Sequence, residues 1–141
     1  MRECKVGATI ISHPDYYVMH HRKPDINNGE IDKLGIYGGQ FEEKADETLA
    51  HTAQRELYEE SGLQFRVVDF QPQEAVVVVS ERDHEQILTD AEIFLLQLPI
   101  DVTYDRFRDG VAVTRHELKR ARALGQLTTV AAEALIKNGV I

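Results

Sequence analysis

The spacing of apolar and polar residues changes period several times along the chain. Residues 4–12, "CKVGATIIS", are apolar and β-branched, which predicts a strand. "HPD" then makes a turn, and "YYVMHHR" (16–22) reads as the hairpin partner. Residues 23–33, "KPDINNGEIDK", carry Pro, Asn and Gly and predict a loop, and "LGIYGGQFE" (34–42) is short, glycine-rich and partly extended. The period then becomes helical over 46–61. Ala50, Ala53 and Leu57 form one apolar stripe, with Asp46 as N-cap and Glu47 at the positive end of the dipole. Gly62 followed by Leu63 predicts a left-handed C-terminal cap. Strands are expected at 65–70, 74–81 and 91–99, and helices at 114–125 and 128–139, each ending at a glycine. No internal repeat, low-complexity tract or linker interrupts the pattern. Strands and helices mix without regular alternation, so the expectation is an α/β fold with a mixed sheet sandwiched by helices, in one domain over 1–141.

Bulk composition narrows the function more than the fold. The chain has 141 residues, enough for one domain with its own core. A single cysteine, Cys4, excludes an internal disulfide and a cysteine-rich zinc site; it is expected to be a strand residue without chemistry. A net charge of −8 with no basic stripe argues against broad nucleic-acid binding. It leaves room for a small anionic ligand held through a divalent cation. The apolar runs "AVVVV" and "IFLL" are too short to cross a bilayer, so no membrane partner is expected. The first residues show no export signal, and a cytoplasmic location is expected.

The stretch "QRELYEESGL" (54–63) places Glu56, Glu59 and Glu60 within five positions. At 100° per residue they project within an arc of roughly 100° and are surface neighbours. Like charges at this spacing cost a helix a few tenths of a kcal/mol per pair. Arg55 can partner Glu59 at i,i+4 but offsets only part of the charge. A solvated acidic face is one reading; a hard cation bound by carboxylate oxygens is the other.

The wider stretch "GGQFEEKADETLAHTAQRELYEESGL" (38–63) resembles the signature of the Nudix hydrolases, the MutT-like nucleotide pyrophosphohydrolases. Arg55, Glu56, Leu57, Glu59, Glu60, Gly62 and Leu63 stand where that signature asks, and Glu47 lies seven intervening residues before Arg55. The chain departs in one place. Seven residues separate Gly39 from Glu47 where the signature has five, which reads as a two-residue insertion in the loop before the helix. The role of Glu47 is the one this departure affects most.

The resemblance implies an α/β/α sandwich and Mg²⁺- or Mn²⁺-dependent hydrolysis of a nucleoside diphosphate linked to another moiety. It implies Glu56, Glu59, Glu60 and the Gly39 carbonyl as metal ligands, and Arg55 as the residue that holds a carboxylate in place. The catalytic set is then Glu59, Arg55 and Glu56. The general base is left open between Glu59 and the polar segment 80–86, with Glu81, His84 and Glu85. Arg22 is a candidate phosphate contact. Tyr37 and Phe94 are candidates to stack on a base, against the commoner role of a strand aromatic in the core. Val78 and Ser80 occupy the places where two nucleotide-specific subfamilies carry a proline or a tyrosine, so the substrate is not fixed within nucleotide derivatives. A homodimer is compatible with the resemblance. A nucleotide-binding module without turnover and a diphosphate isomerase are the alternatives on the same fold.

Overall fold

The computed structural model describes residues 1–22 and 32–141, so most of the loop expected at 23–33 lies outside the described residues. One sheet of eight strands organises the rest: β1 (Arg2–His13), β2 (Tyr16–His21), β3 (Leu34–Gly35), β4 (Tyr37–Gln40), β5 (Gln71–Pro72), β6 (Val76–Arg82), β7 (Glu85–Gln97) and β8 (Gly110–Val113). The helices are α1 (Leu49–Ser61), α2 (Arg115–Ala123) and α3 (Thr129–Lys137).

β1 runs through the middle. Along one side it pairs in parallel with β7, from Arg2 opposite Ile87 to Ser12 opposite Gln97. Along the other it pairs antiparallel with β4 in its middle, from Val6 to Thr9, and with β2 near its end. The sheet is therefore mixed, as the irregular order of elements predicts. Consecutive side chains of a strand point to opposite faces. Ile10 and Ile11 accordingly lie in different apolar clusters, each 1% exposed. On one face Ile11, Phe94 and Leu96 meet Ala53 and Leu57 of α1. On the other, Ile10, Met19 and Ile93 meet Leu118 of α2 and Leu135 of α3.

Several boundaries differ from the expected ones. Helix α1 begins at Leu49, not at 46, and its N-cap is Thr48, whose hydroxyl accepts from the His51 N–H. Asp46 does not cap it, because that carboxylate is bonded elsewhere, and Glu47 precedes the helix. Gly62 closes the helix with φ 72°, as its position predicts. Residues 65–70 do not form a strand; Val67–Asp69 make a short 3₁₀ turn, closed by Asp69 accepting from the Arg66 N–H and guanidinium. The segment 80–86 is a β-hairpin. Asp83 and His84 both take left-handed backbone angles (φ 51° and 63°), which suit a tight two-residue connection. β7 thus starts at Glu85, six residues before the strand expected from 91. Among the described residues no helix is long and apolar enough to cross a membrane.

Candidate functional site

The two-residue insertion before α1 is folded back on itself. Glu42 carbonyl accepts from the Ala45 and Asp46 N–H groups, and Asp46 Oδ2 accepts from the Glu42 N–H at 3.0 Å. The buried Asp46 carboxylate also accepts from Thr52 Oγ1 (2.9 Å) and, on both its oxygens, from Arg55 Nε and Nη2 (3.0 Å each). This is a bidentate guanidinium–carboxylate pair, the strong form of such contacts. The Arg55 hydrogen bonds hold the Asp46 carboxyl at about 2, below its ordinary 3.8, with the Glu42 N–H and Thr52 adding to them against the opposing effect of burial. Asp46 in turn, by hydrogen bonding first and by charge second, raises the Arg55 pKa further.

Arg55 reaches the acidic arc with its remaining nitrogen. Nη1 donates to Glu56 Oε1 at 3.0 Å and to Glu59 Oε1 at 3.4 Å, while Nη2 also donates to the Gln40 carbonyl at 3.1 Å. The three glutamates do not share one environment. Glu56 is mostly covered and lies against β4, where a side chain at position 39 would run into its carboxylate; Gly39 leaves that space. Burial first, and then the neighbouring Glu59, push the Glu56 carboxyl upward, against the pull of Arg55. Glu59 is half exposed. Glu60 turns inward: its Oε2 is buried with no hydrogen-bond partner among the described residues. Burial first, and then the Glu60 charge, raise the pKa of Tyr37; in His20, whose ring stacks on Tyr37, burial lowers the value and the Glu60 charge opposes it.

Two of these features fit a divalent cation: an orphaned buried carboxylate oxygen, and a carboxylate laid along a backbone that carries no side chain. Oxygen donors are the chemistry Mg²⁺ prefers. Among the described residues the acids do not already form a group of three close enough to grip an ion.

On the face that carries α3, a cleft of about 630 Å³ opens between the sheet and the start of that helix. Val6, Ala8, Ile36 and Ile87 give it apolar walls, Thr128 and Thr129 stand at the helix end, and Arg22 and Glu81 also line it. Gly38 and Gly39 line the cleft as well. A Cβ at Gly38 would lie 2.7 Å from the Gly7 carbonyl and 2.8 Å from Ala8, so this strand passes too close to β1 for any side chain.

Of the residues expected at a site, Glu56 and Glu59 share Arg55, Glu56 lies against Gly39, and Arg22 lies in the cleft. Tyr37 and Phe94 do not. They are 2% and 4% exposed, both in the α1-side core, and Tyr37 OH donates to the Arg108 carbonyl at 2.7 Å. Neither ring is available to stack on a base. Of the polar segment 80–86, Ser80 and Glu81 line the cleft, while His84 sits in the hairpin turn. Sequence reasoning missed Asp46, whose signal was an acid inside the insertion nine positions before Arg55, and it missed the cleft contribution of α3.

No protein-family model matches the chain, and no curated protein does. Solved structures do. A MutT Nudix hydrolase from Burkholderia pseudomallei is 18% identical, covering 97% of this chain and 98% of its own, with a TM-score of 0.70. The Nudix domain of Shewanella oneidensis NrtR, complexed with ADP ribose, is 16% identical over 99% of this chain and 86% of its own, at 0.61. A bifunctional NMN adenylyltransferase/ADP ribose pyrophosphatase from Francisella tularensis, complexed with AMP and a Mn ion, is 18% identical over 95% of this chain and 40% of its own, at 0.63. With α1 on one face of a mixed sheet and α2 and α3 on the other, the chain has the fold of the Nudix hydrolases.

Proposed function

We propose that this chain is a single-domain Nudix pyrophosphohydrolase that cleaves the pyrophosphate bond of a nucleoside diphosphate linked to another moiety, using Mg²⁺ or Mn²⁺. The observation that carries the reading is the division of charge on α1. Asp46 claims two nitrogens of Arg55, which leaves Nη1 shared by Glu56 and Glu59, while a buried oxygen of Glu60 has no partner among the described residues. Glu56, Glu59, Glu60 and the Gly39 carbonyl would hold the ion. Such an ion, when bound, neutralises a diphosphate and lowers the pKa of a water molecule.

The chain's own residues supply the rest. Arg55 fixes the Glu56 carboxylate against β4, since outer partners orient ligands. Arg22 lines the cleft, where a guanidinium suits paired phosphate oxygens. The aliphatic walls exclude water around the bound molecule, and the cleft volume falls in the range of small-molecule sites, about 300–1,000 Å³. Glu59 on α1 and Glu81, which lines the cleft, are the candidates for general base that we favour over His84 and Glu85 in and after the hairpin turn. The AMP and ADP-ribose complexes of two structural neighbours support a nucleotide derivative as substrate.

The test is a panel of nucleoside triphosphates, sugar nucleotides and dinucleotides, assayed with Mg²⁺ and with Mn²⁺ for release of a monophosphate. Hydrolysis of at least one class, lost on chelation, is the expected result. Nucleotide binding that needs no metal and gives no turnover assigns the chain to the binding modules instead. A product formed without addition of water assigns it to the isomerases.

A further inference from the structure

We infer that Asp46, and not the signature glutamate Glu47, is the positioning residue for Arg55 and, through Arg55, for the Glu56 carboxylate. The inference rests on the hydrolase reading above and adds a residue that the signature does not contain.

Four observations carry it. Asp46 is 5% exposed and accepts four hydrogen bonds, two of them the Arg55 fork. Glu47 is exposed and, among the described residues, has no hydrogen bond or ion pair. The insertion explains the exchange. Its turn, closed by the Glu42 carbonyl, brings residue 46 rather than 47 under the helix, and Thr48 then caps α1 with Glu47 turned outward. Finally, the fork engages Nε and Nη2 and leaves Nη1 directed at Glu56 and Glu59.

The physical consequence is a division of one positive charge. Held from its far edge, Arg55 steadies Glu56 without settling fully onto the acidic arc. Released, the guanidinium has two outcomes. It can collapse onto Glu56 and Glu59, where it competes with a cation, or leave for solvent, which frees Glu56 from β4. Either outcome weakens ion uptake.

The experiment compares Asp46→Asn, Glu47→Gln and Arg55→Lys with the unaltered chain. Mn²⁺ uptake is followed by the electron paramagnetic resonance of the free ion, without nucleotide, and kcat and KM are measured on a nucleotide from the panel. Loss of an outer partner typically costs 10–100-fold. Asp46→Asn should weaken Mn²⁺ uptake and lower kcat by about that factor, with KM changed by less than about twofold. Arg55→Lys should do the same, and the double variant should be no worse than the poorer single one, because the two act as a unit. Glu47→Gln should stay within about twofold of the unaltered chain in every quantity, as surface changes do.

A residue that only held the loop would lower the melting temperature and leave Mn²⁺ uptake and kcat of the folded protein intact; that result overturns the inference. So does a loss carried by Glu47→Gln. Should Asp46→Asn fail to fold, Asp46→Glu keeps the charge and moves it by one methylene, and its Mn²⁺ uptake decides: an unchanged value overturns the inference. If the unaltered chain takes up Mn²⁺ but hydrolyses no nucleotide, the hydrolase reading fails and the uptake series still decides the role of Asp46. If it takes up no Mn²⁺, both fail.

Discussion

The two faces of the sheet are built to different ends. The α1 face is packed with rings, including Tyr37, Phe70, Phe94 and Phe107, and its helix carries the acids. The α2–α3 face is almost wholly aliphatic, and it leaves the cleft open beside α3. The acids of α1 lie on one face; the cleft opens on the other, with Arg2, Arg22 and Glu81 among the residues that line it. The faces meet at Gly38 and Gly39, consecutive residues of which one presses on β1 and the other on Glu56. The lesson is that an acidic cluster and an open cleft can lie on different layers and still adjoin, where two consecutive glycines stand in the strand between them.

The largest expected effect tests the charged side. Glu59→Gln should lower turnover by at least ~100-fold, exceeding the loss from an outer partner, while the circular dichroism spectrum stays unchanged. Normal turnover in that variant would remove α1 from the chemistry altogether.

Acid should then separate the faces. The Asp46 carboxyl titrates at about 2 in the folded chain against an ordinary 3.8, so its contribution to stability is complete above about 4 and is lost as pH falls toward 2. That contribution is of the order of 2–3 kcal/mol. Hydrogen exchange between pH 4 and 2 should show the start of α1 loosening before α3 does. Simultaneous loosening would mean that the pair does not anchor its own face.

Next comes the meeting point itself. Gly38→Ala forces a Cβ against backbone at Gly7 and Ala8 and should cost about 1–3 kcal/mol in denaturant unfolding. Gly39→Ala meets the movable Glu56 side chain first, so it should cost less stability and more metal uptake. The reverse ranking would sink the assignment of the two glycines to two faces.

A smaller effect is expected from the roomy side. Thr89 lines the cleft on β7. Thr89→Phe should raise KM by about tenfold, ~1.4 kcal/mol, with Mn²⁺ uptake unchanged. A change in uptake would show that the faces communicate.

The smallest effect concerns Glu56. Burial raises its folded pKa above the unfolded value, so the stability it contributes is present at low pH and is lost as pH rises through the folded pKa. Glu56→Gln should therefore be slightly more stable than the unaltered chain at neutral pH without metal, by thermal melting, and the difference should vanish in acid.

What could be read from the chain follows the range of the interactions. The stripe of Ala53 and Leu57 and the Gly62 cap depend on neighbours within a few turns, and they were legible. So was the spacing of Arg55, Glu56, Glu59 and Glu60. The fork from Arg55 to Asp46 was not, because it depends on how an inserted loop returns to the helix. Residues 65–70 have strand composition, yet the local Arg66–Asp69 contacts win. The first half of β7 was hidden for another reason. Glu85, Gln86 and Asp90 are exposed, so that half shows little apolar alternation to read. Tyr37 illustrates the ambiguity of an amphipathic ring: its hydroxyl finds a partner inside, in the Arg108 carbonyl, rather than a ligand outside.

The parallel pairing of β1 with β7 also bears on how the protein is made. Arg2 lies opposite Ile87, and Ser12 opposite Gln97. During synthesis the first strand emerges from the ribosome long before its longest partner exists, and only the β2 hairpin and β4 are there to shield one edge. Pairings so distant in sequence form slowly. Until the chain has been extended past residue 97, the other edge of β1, with the adjoining Ile10 and Ile11, stays open to chaperones and to neighbouring nascent chains.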